Sequence, residues 1–185
     1  MRIIAFFIVV ILNFGFIVKN KTKVKITNQS EVIIKGKSNV NSFTCTYDNS
    51  FLDSEINVNY IQRSSKTFLE GAKIKIKSNG FDCAHKMITR DFNSLLQADR
   101  YDFIVIDVKE VDKKNENLSA KITIEIAGVV KNYVLPIKYD ERLNNVKGNL
   151  NIDINDFNLK PPKKALGIVK VNESVTINFN LYLDY

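Results

Sequence analysis

Only one histidine, His85, occurs in the chain, and only two cysteines, Cys45 and Cys83. That scarcity removes most reaction chemistry at once. Cys83 and His85 have no further ligands at metal-binding spacing. Read as nucleophile and base, they lie too close in sequence for both side chains to face one reacting atom, and no third group orients them. The seven glycines form neither a phosphate-cradling loop nor a nucleophile elbow. Paired carboxylates are missing too, since the acidic residues stand singly along outward strand positions. No catalytic residue, metal or required cofactor is therefore expected. Long amphipathic helices are also absent between the strand-like segments, which disfavours a parallel sheet with helical crossovers.

What the chain has in abundance is period two. Ile56, Val58 and Tyr60 mark one such segment, Ile74 and Ile76 another, and Ile122, Ile124 and Ile126 a third. Leu150, Ile152 and Ile154 continue the series. The clearest case sets Val175, Ile177, Phe179, Leu181 and Leu183 against Thr176, Asn178, Asn180, Tyr182 and Asp184. One dry and one wet face per strand is what an antiparallel sheet or barrel requires. Gly71, Asn79-Gly80, Gly128 and Asn145 to Gly148 read as turns, and the polar run Asp112 to Asn117 as a solvated hairpin loop. Eight or nine strands follow, enough for one closed barrel or sandwich. A single helix interrupts them. Met87 to Gln97 carries Met87, Ile88, Phe92, Leu95 and Leu96 near helical spacing, and in a barrel it would cover one mouth. Pro161-Pro162 stops a strand and forces an extended connection before Gly167.

Length and composition, 185 residues with 45% apolar and 25% charged, fit one ordinary globular domain. The formal charge of +7 admits an anionic partner. Its lysines are scattered and alternate with apolar residues, however, so they read as the wet face of strands and no nucleic-acid partner is expected. Residues 1–18 form a targeting segment: Met1-Arg2, an apolar run from Ile3 to Val18, then Lys19, Lys21 and Lys23. It is a signal peptide or, since no small-x-small cleavage site stands near Phe14-Gly15-Phe16, an uncleaved anchor holding residues 3–18 at a membrane. Residues 19–29 then read as a lysine-rich linker and 30–185 as the folded domain. The setting is exported, periplasmic or secreted. In such a compartment Cys45 and Cys83 are expected as a disulfide, with two buried free thiols as the alternative.

Several features recur in a recognisable order. They are the early strand with Gly36 and Ser38-Asn39-Val40-Asn41-Ser42-Phe43, the Met87 to Leu96 segment with a strand at Tyr101 to Val111, and the hairpin at Gly128. Leu150 to Phe157 follows, with Pro161-Pro162, Gly167 and the closing strand. This ordered set, from Glu31 to Tyr185, resembles the YceI-like family of secreted lipid- or polyisoprenoid-binding proteins. The resemblance implies a mainly β fold: an antiparallel, lipocalin-like barrel of about eight strands with one short helix near 87–97. It also implies an elongated apolar pocket for an isoprenoid, a quinone or another long-chain amphiphile. Apolar positions that could line a barrel mouth are Phe43, Met87, Phe92, Leu96 and Phe157, each of which fits plain core packing as well. Two functions remain. One is an exported carrier of a long apolar lipid; the other is an envelope structural or interaction protein with a side-chain-filled barrel and a basic outer face. A continuous interior pocket separates them.

Overall fold

Twelve strands and one α-helix make up the described residues, 19–52, 54–161 and 171–185, of the computed structural model. In chain order they are β1 (Asn20–Ile26), β2 (Glu31–Lys37), β3 (Ser42–Tyr47), β4 (Ser54–Arg63), β5 (Lys66–Glu70), β6 (Lys73–Lys77) and β7 (Phe81–Asp82). Helix α1 (Lys86–Leu95) follows, then β8 (Phe103–Lys114), β9 (Asn117–Ile126), β10 (Val129–Asp140), β11 (Asn145–Asp153) and β12 (Ser174–Asp184). Every pairing is antiparallel. The order β1-β4-β5-β8-β9-β10-β11-β12 returns on itself through Lys25 with Asp184 and Ile26 with Leu183, so eight strands close a barrel-like ring. The other four are short additions. β6 lies beside the first half of β8, and β2, β3 and β7 extend the sheet from β12.

The closing seam is narrow, because β12 serves two partners. Thr176 to Asn180 pair with β2, and only Leu183 and Asp184 reach β1. Side chains reinforce the place where β1 and β2 part. The buried Ser30 hydroxyl accepts the Tyr182 N–H at 2.9 Å, and the Asn145 amide donates to Asn180 Oδ1 at 2.7 Å and to the Leu181 carbonyl at 3.0 Å. Groups this deeply buried would be costly without such partners. A second irregularity is a split. β10 and β11 pair only from Ile137–Asp140 to Asn145–Gly148. Beyond that point the gap is occupied by the 3-10 turn Ile154–Phe157, whose Phe157 is 0% exposed.

The fold is the expected one, with local corrections. Residues 19–29 are not a linker: β1 makes seven residue pairs with β4, and Thr22, Val24 and Ile26 alternate with Lys21, Lys23 and Lys25. The lysines hide a period of two that a neighbouring strand completes. The loop expected over Asp112 to Asn117 shrinks to Asn115-Glu116, because β8 and β9 continue to Lys114 and from Asn117. Asn115 takes the left-handed conformation that so short a turn needs. Asn145 to Gly148 is strand, not turn. The reversal lies at 141–144, where Asp140 Oδ1 accepts the N–H groups of Arg142 and Leu143. At the β9–β10 hairpin the turn is Ala127-Gly128, both with positive φ (48° and 77°), and the Tyr101 ring lies against Gly128. The helix runs one residue earlier than expected and ends two sooner, with His85 as N-cap and Leu96 as C-cap. The leader over 1–18, Pro162 and Gly167 lie outside the described residues.

Cys45 and Cys83 form a disulfide joining β3 to the segment that leads into α1. Both are buried. The bond takes the Cys83 thiol out of any arrangement with His85, whose Nδ1 instead accepts the Met87 N–H at 3.3 Å and caps α1. A capping acceptor is the ordinary requirement of a helix start.

Candidate functional site

Cross-strand register shows which side chains share the inner face of the ring. Ile106 stands opposite Ile74 and Ile124, Val108 opposite Ile122, Val146 opposite Tyr139 and Leu181, and Leu150 opposite Ile177. The two ends of this face differ. At the end carrying α1, the turn Ala127-Gly128 and the turn Ile154–Phe157, the interior is packed: Ile76, Ile104, Ile124, Ile126, Ile152 and Phe157 are buried. The opposite end is marked by the β4–β5, β8–β9 and β10–β11 turns. There Val111, Leu118, Ile137, Leu181 and Leu183 face inward yet stay only half-buried. Toward that end the inner face mixes apolar residues with Gln62, Thr67 and Lys113, and its apolar side chains are incompletely covered.

A glycine shapes the wall. Gly148 of β11 lies opposite Phe179 of β12, and a Cβ built on Gly148 would meet the tip of the Phe179 ring at 2.5 Å. The ring thus lies flat over the glycine instead of crossing the lumen. Gly36 and Phe43 repeat the device between β2 and β3, at 2.3 Å. Glycine within a strand commonly marks such close approach. Gly148→Leu is expected to push Phe179 off the wall and narrow the lumen, at a cost of about 1–3 kcal/mol in stability for overpacking. Thermal melting and uptake of a fluorescent apolar dye should show a folded protein with lowered uptake. Unchanged uptake would mean that Phe179 does not border the ligand space.

The five residues singled out from sequence are not gathered around this mouth. Phe92 is buried with its ring edge-on to Phe81, centroids 5.3 Å apart, and Leu96 is buried as the C-cap of α1. Phe157 fills the split between β10 and β11, with Tyr133 stacked on it at 6.4 Å. Phe43 lies on Gly36. Met87 is 51% exposed on the outside of α1. Bulk and apolarity do not reveal which end of a barrel a side chain occupies. The mouth residues Phe179, Leu181 and Leu183 carried a signal in the alternation of the last strand. Leu181 and Phe179 reach Val146 and Gly148 through the pairing of β11 with β12, and Leu183 reaches Ile26 through the seam with β1.

Polar groups border the packed end. Lys131 lies in register with the buried Ile124, and its Nζ is 4.0 Å from Asp156 Oδ1. The Tyr133 hydroxyl is 3.5 Å from Asp156 Oδ2, long for a hydrogen bond. Burial raises the Tyr133 phenol above its ordinary pKa, and the Asp156 carboxylate adds to the effect. An open groove beside α1 is lined by Asp82, Lys86, Thr89, Arg90, Asn93 and Asp99 among others, with charged side chains of both signs. Among the described residues no cluster of His, Cys, Asp and Glu is placed to hold a metal ion, and no helix is long and apolar enough to cross a membrane.

Comparison with known proteins agrees with this architecture. Among solved structures, BcnA of Burkholderia cenocepacia superposes with a TM-score of 0.65 at 16% identity, covering 87% of this chain and 100% of that one. At that identity the likeness is one of fold. No curated protein matches the chain. The family model of the YceI-like domain, however, matches residues 17–183, which takes in all twelve strands but the last residue of β12. The chain belongs to the YceI-like domain family.

Proposed function

We propose that the protein is an exported, non-catalytic carrier that holds one long-chain amphiphile, an isoprenoid, a quinone or another lipid, in the incompletely covered half of its lumen. The observation that carries this reading is the set of half-buried apolar side chains on the inner face at one end of a closed ring. An eight-stranded ring has room for its own side chains or one slender ligand, and here the filling is incomplete toward the mouth. A buried methylene contributes about 0.8 kcal/mol, so ten of them offer about 8 kcal/mol, the scale of a micromolar complex before ordering costs. No reacting group is needed. Membership of the YceI-like family supports the lipid reading, and export follows from the character of residues 1–18. The rival reading, an interaction protein with a filled barrel, is disfavoured by the same incompletely covered inner face.

Native mass spectrometry of the protein purified without detergent, followed by lipid extraction, tests the proposal. The expected result is a bound species with a long apolar chain, or uptake of added polyprenol or quinone. Leu181→Asp should abolish either one, because it puts a carboxylate on the inner face. A clean unliganded mass with no uptake from either lipid would move the reading to the interaction protein.

A further inference from the structure

The rim at the incompletely covered end has a composition that its interior does not require. Leu143, in the turn between β10 and β11, is 56% exposed, and Tyr185, directly after β12, is 62% exposed. Tyr139 joins them, its hydroxyl 3.2 Å from Asn144 Oδ1 and 3.5 Å from the Tyr185 hydroxyl. The patch is continuous with the lumen, since Tyr139 pairs with Val146 and Val146 with Leu181. Immediately beside it Lys138 and Lys147 stand directly opposite each other, both exposed, with Arg142 in the adjoining turn. None of these three cations has an ion-pair partner among the described residues. Three acids lie nearby: Asp140, whose carboxylate accepts the Arg142 and Leu143 N–H groups, Glu141 beside it, and the exposed Asp184, which stands opposite Lys25.

Like charges facing each other across a strand pair destabilise it unless something anionic lies over them. Tyrosine and leucine at a wet rim place apolar bodies outward with polar tips in reach of water, as residues at a bilayer interface do. A long-chain amphiphile also has no favourable path through bulk water between a membrane and a lumen. We propose that this rim, Tyr139, Leu143 and Tyr185 with Lys138, Lys147 and Arg142, seats the protein on an anionic lipid bilayer with the mouth facing the membrane. The proposal rests on the carrier reading and adds where the lipid enters.

The test is co-sedimentation of the full chain with phosphatidylcholine vesicles, with and without phosphatidylglycerol, over a range of salt. Wild type should bind the anionic vesicles and lose binding as salt rises. Lys138→Glu with Lys147→Glu should weaken that binding by on the order of tenfold or more, given the usual contribution of each basic residue near an anionic surface. Leu143→Asp should weaken binding to vesicles of either composition. Lys35→Glu with Lys37→Glu, the same change of charge on the outer side of β2 near its far end, should stay close to wild type. Equal loss in the two double variants, or no effect of Leu143→Asp, would overturn the proposal. So would binding of dextran sulfate in place of vesicles, which would make the rim a site for anionic polymers. Uptake of a soluble fluorescent isoprenoid, measured in the same variants, separates the two ideas. Intact uptake with vesicle binding indifferent to the rim overturns the docking alone, and absent uptake in wild type overturns the carrier.

Discussion

Phe157→Ala is expected to lower stability by about 3–5 kcal/mol, the range for removing a fully buried phenylalanine. At a few degrees per kcal/mol for a chain of this size, melting should fall by roughly 10 °C. The reason is position as much as area. Phe157 is 0% exposed and fills the split where β10 and β11 stop pairing, so its loss leaves a gap in the wall of the ring. Its backbone cannot easily close that gap. Asp153 Oδ1 holds the Asn155 N–H at 2.8 Å, the Leu159 N–H bonds the Ile154 carbonyl at 3.1 Å, and Asn158 is fixed in the left-handed region. Thermal unfolding followed by circular dichroism checks this, with isoprenoid uptake measured alongside. Unchanged melting with weakened uptake would instead return Phe157 to the ligand contact that the sequence nominates.

Loss of the Cys45–Cys83 bond should cost a similar amount. It closes a 38-residue separation, worth about 4 kcal/mol in the chain-entropy account. Much of what it restrains is otherwise lightly held. β7 is two residues long and pairs with β3 only through Thr46–Asp82 and Tyr47–Phe81, and the helix it leads into packs on β7 through Phe92 on Phe81. Cys45→Ala with Cys83→Ala, or reduction of the wild type, should lower melting by roughly 10 °C. Hydrogen exchange should find α1 and β7 opening before the ring does, because contacts there are fewest. If α1 stays as protected as β9 and β10, the bond is a minor contributor and packing alone holds the helix.

How far the sequence could be read follows from which interactions each feature depends on. Strand identity depends on neighbours one and two residues away, and so Ile122-Ile124-Ile126 and Val175 to Leu183 were legible as half-buried strands. Asn20 to Ile26 was not, because lysine at every second position resembles a tether until β4 lies beside it. Asn115-Glu116 looked like part of a longer loop because polar residues on the wet face of a strand are indistinguishable from polar residues in a turn. The candidate site was less legible still. Phe92 and Phe157, which aromatic bulk nominates, both lie at the packed end, while the opposite end carries ordinary residues such as Ile137, Leu181 and Leu183.

The antiparallel class, the single helix and the expected pairing of two cysteines rest on local periodicity and count, and the family resemblance on the order of the segments from Glu31 to Tyr185. Which strands close the ring, how β12 divides itself between β1 and β2, and how fully each end is covered depend on the fold as a whole. These are questions of register and of what lies across a gap. Whether Phe179 crosses the lumen or lies against its wall depends on Gly148, thirty-one positions away in the chain and directly opposite in the sheet.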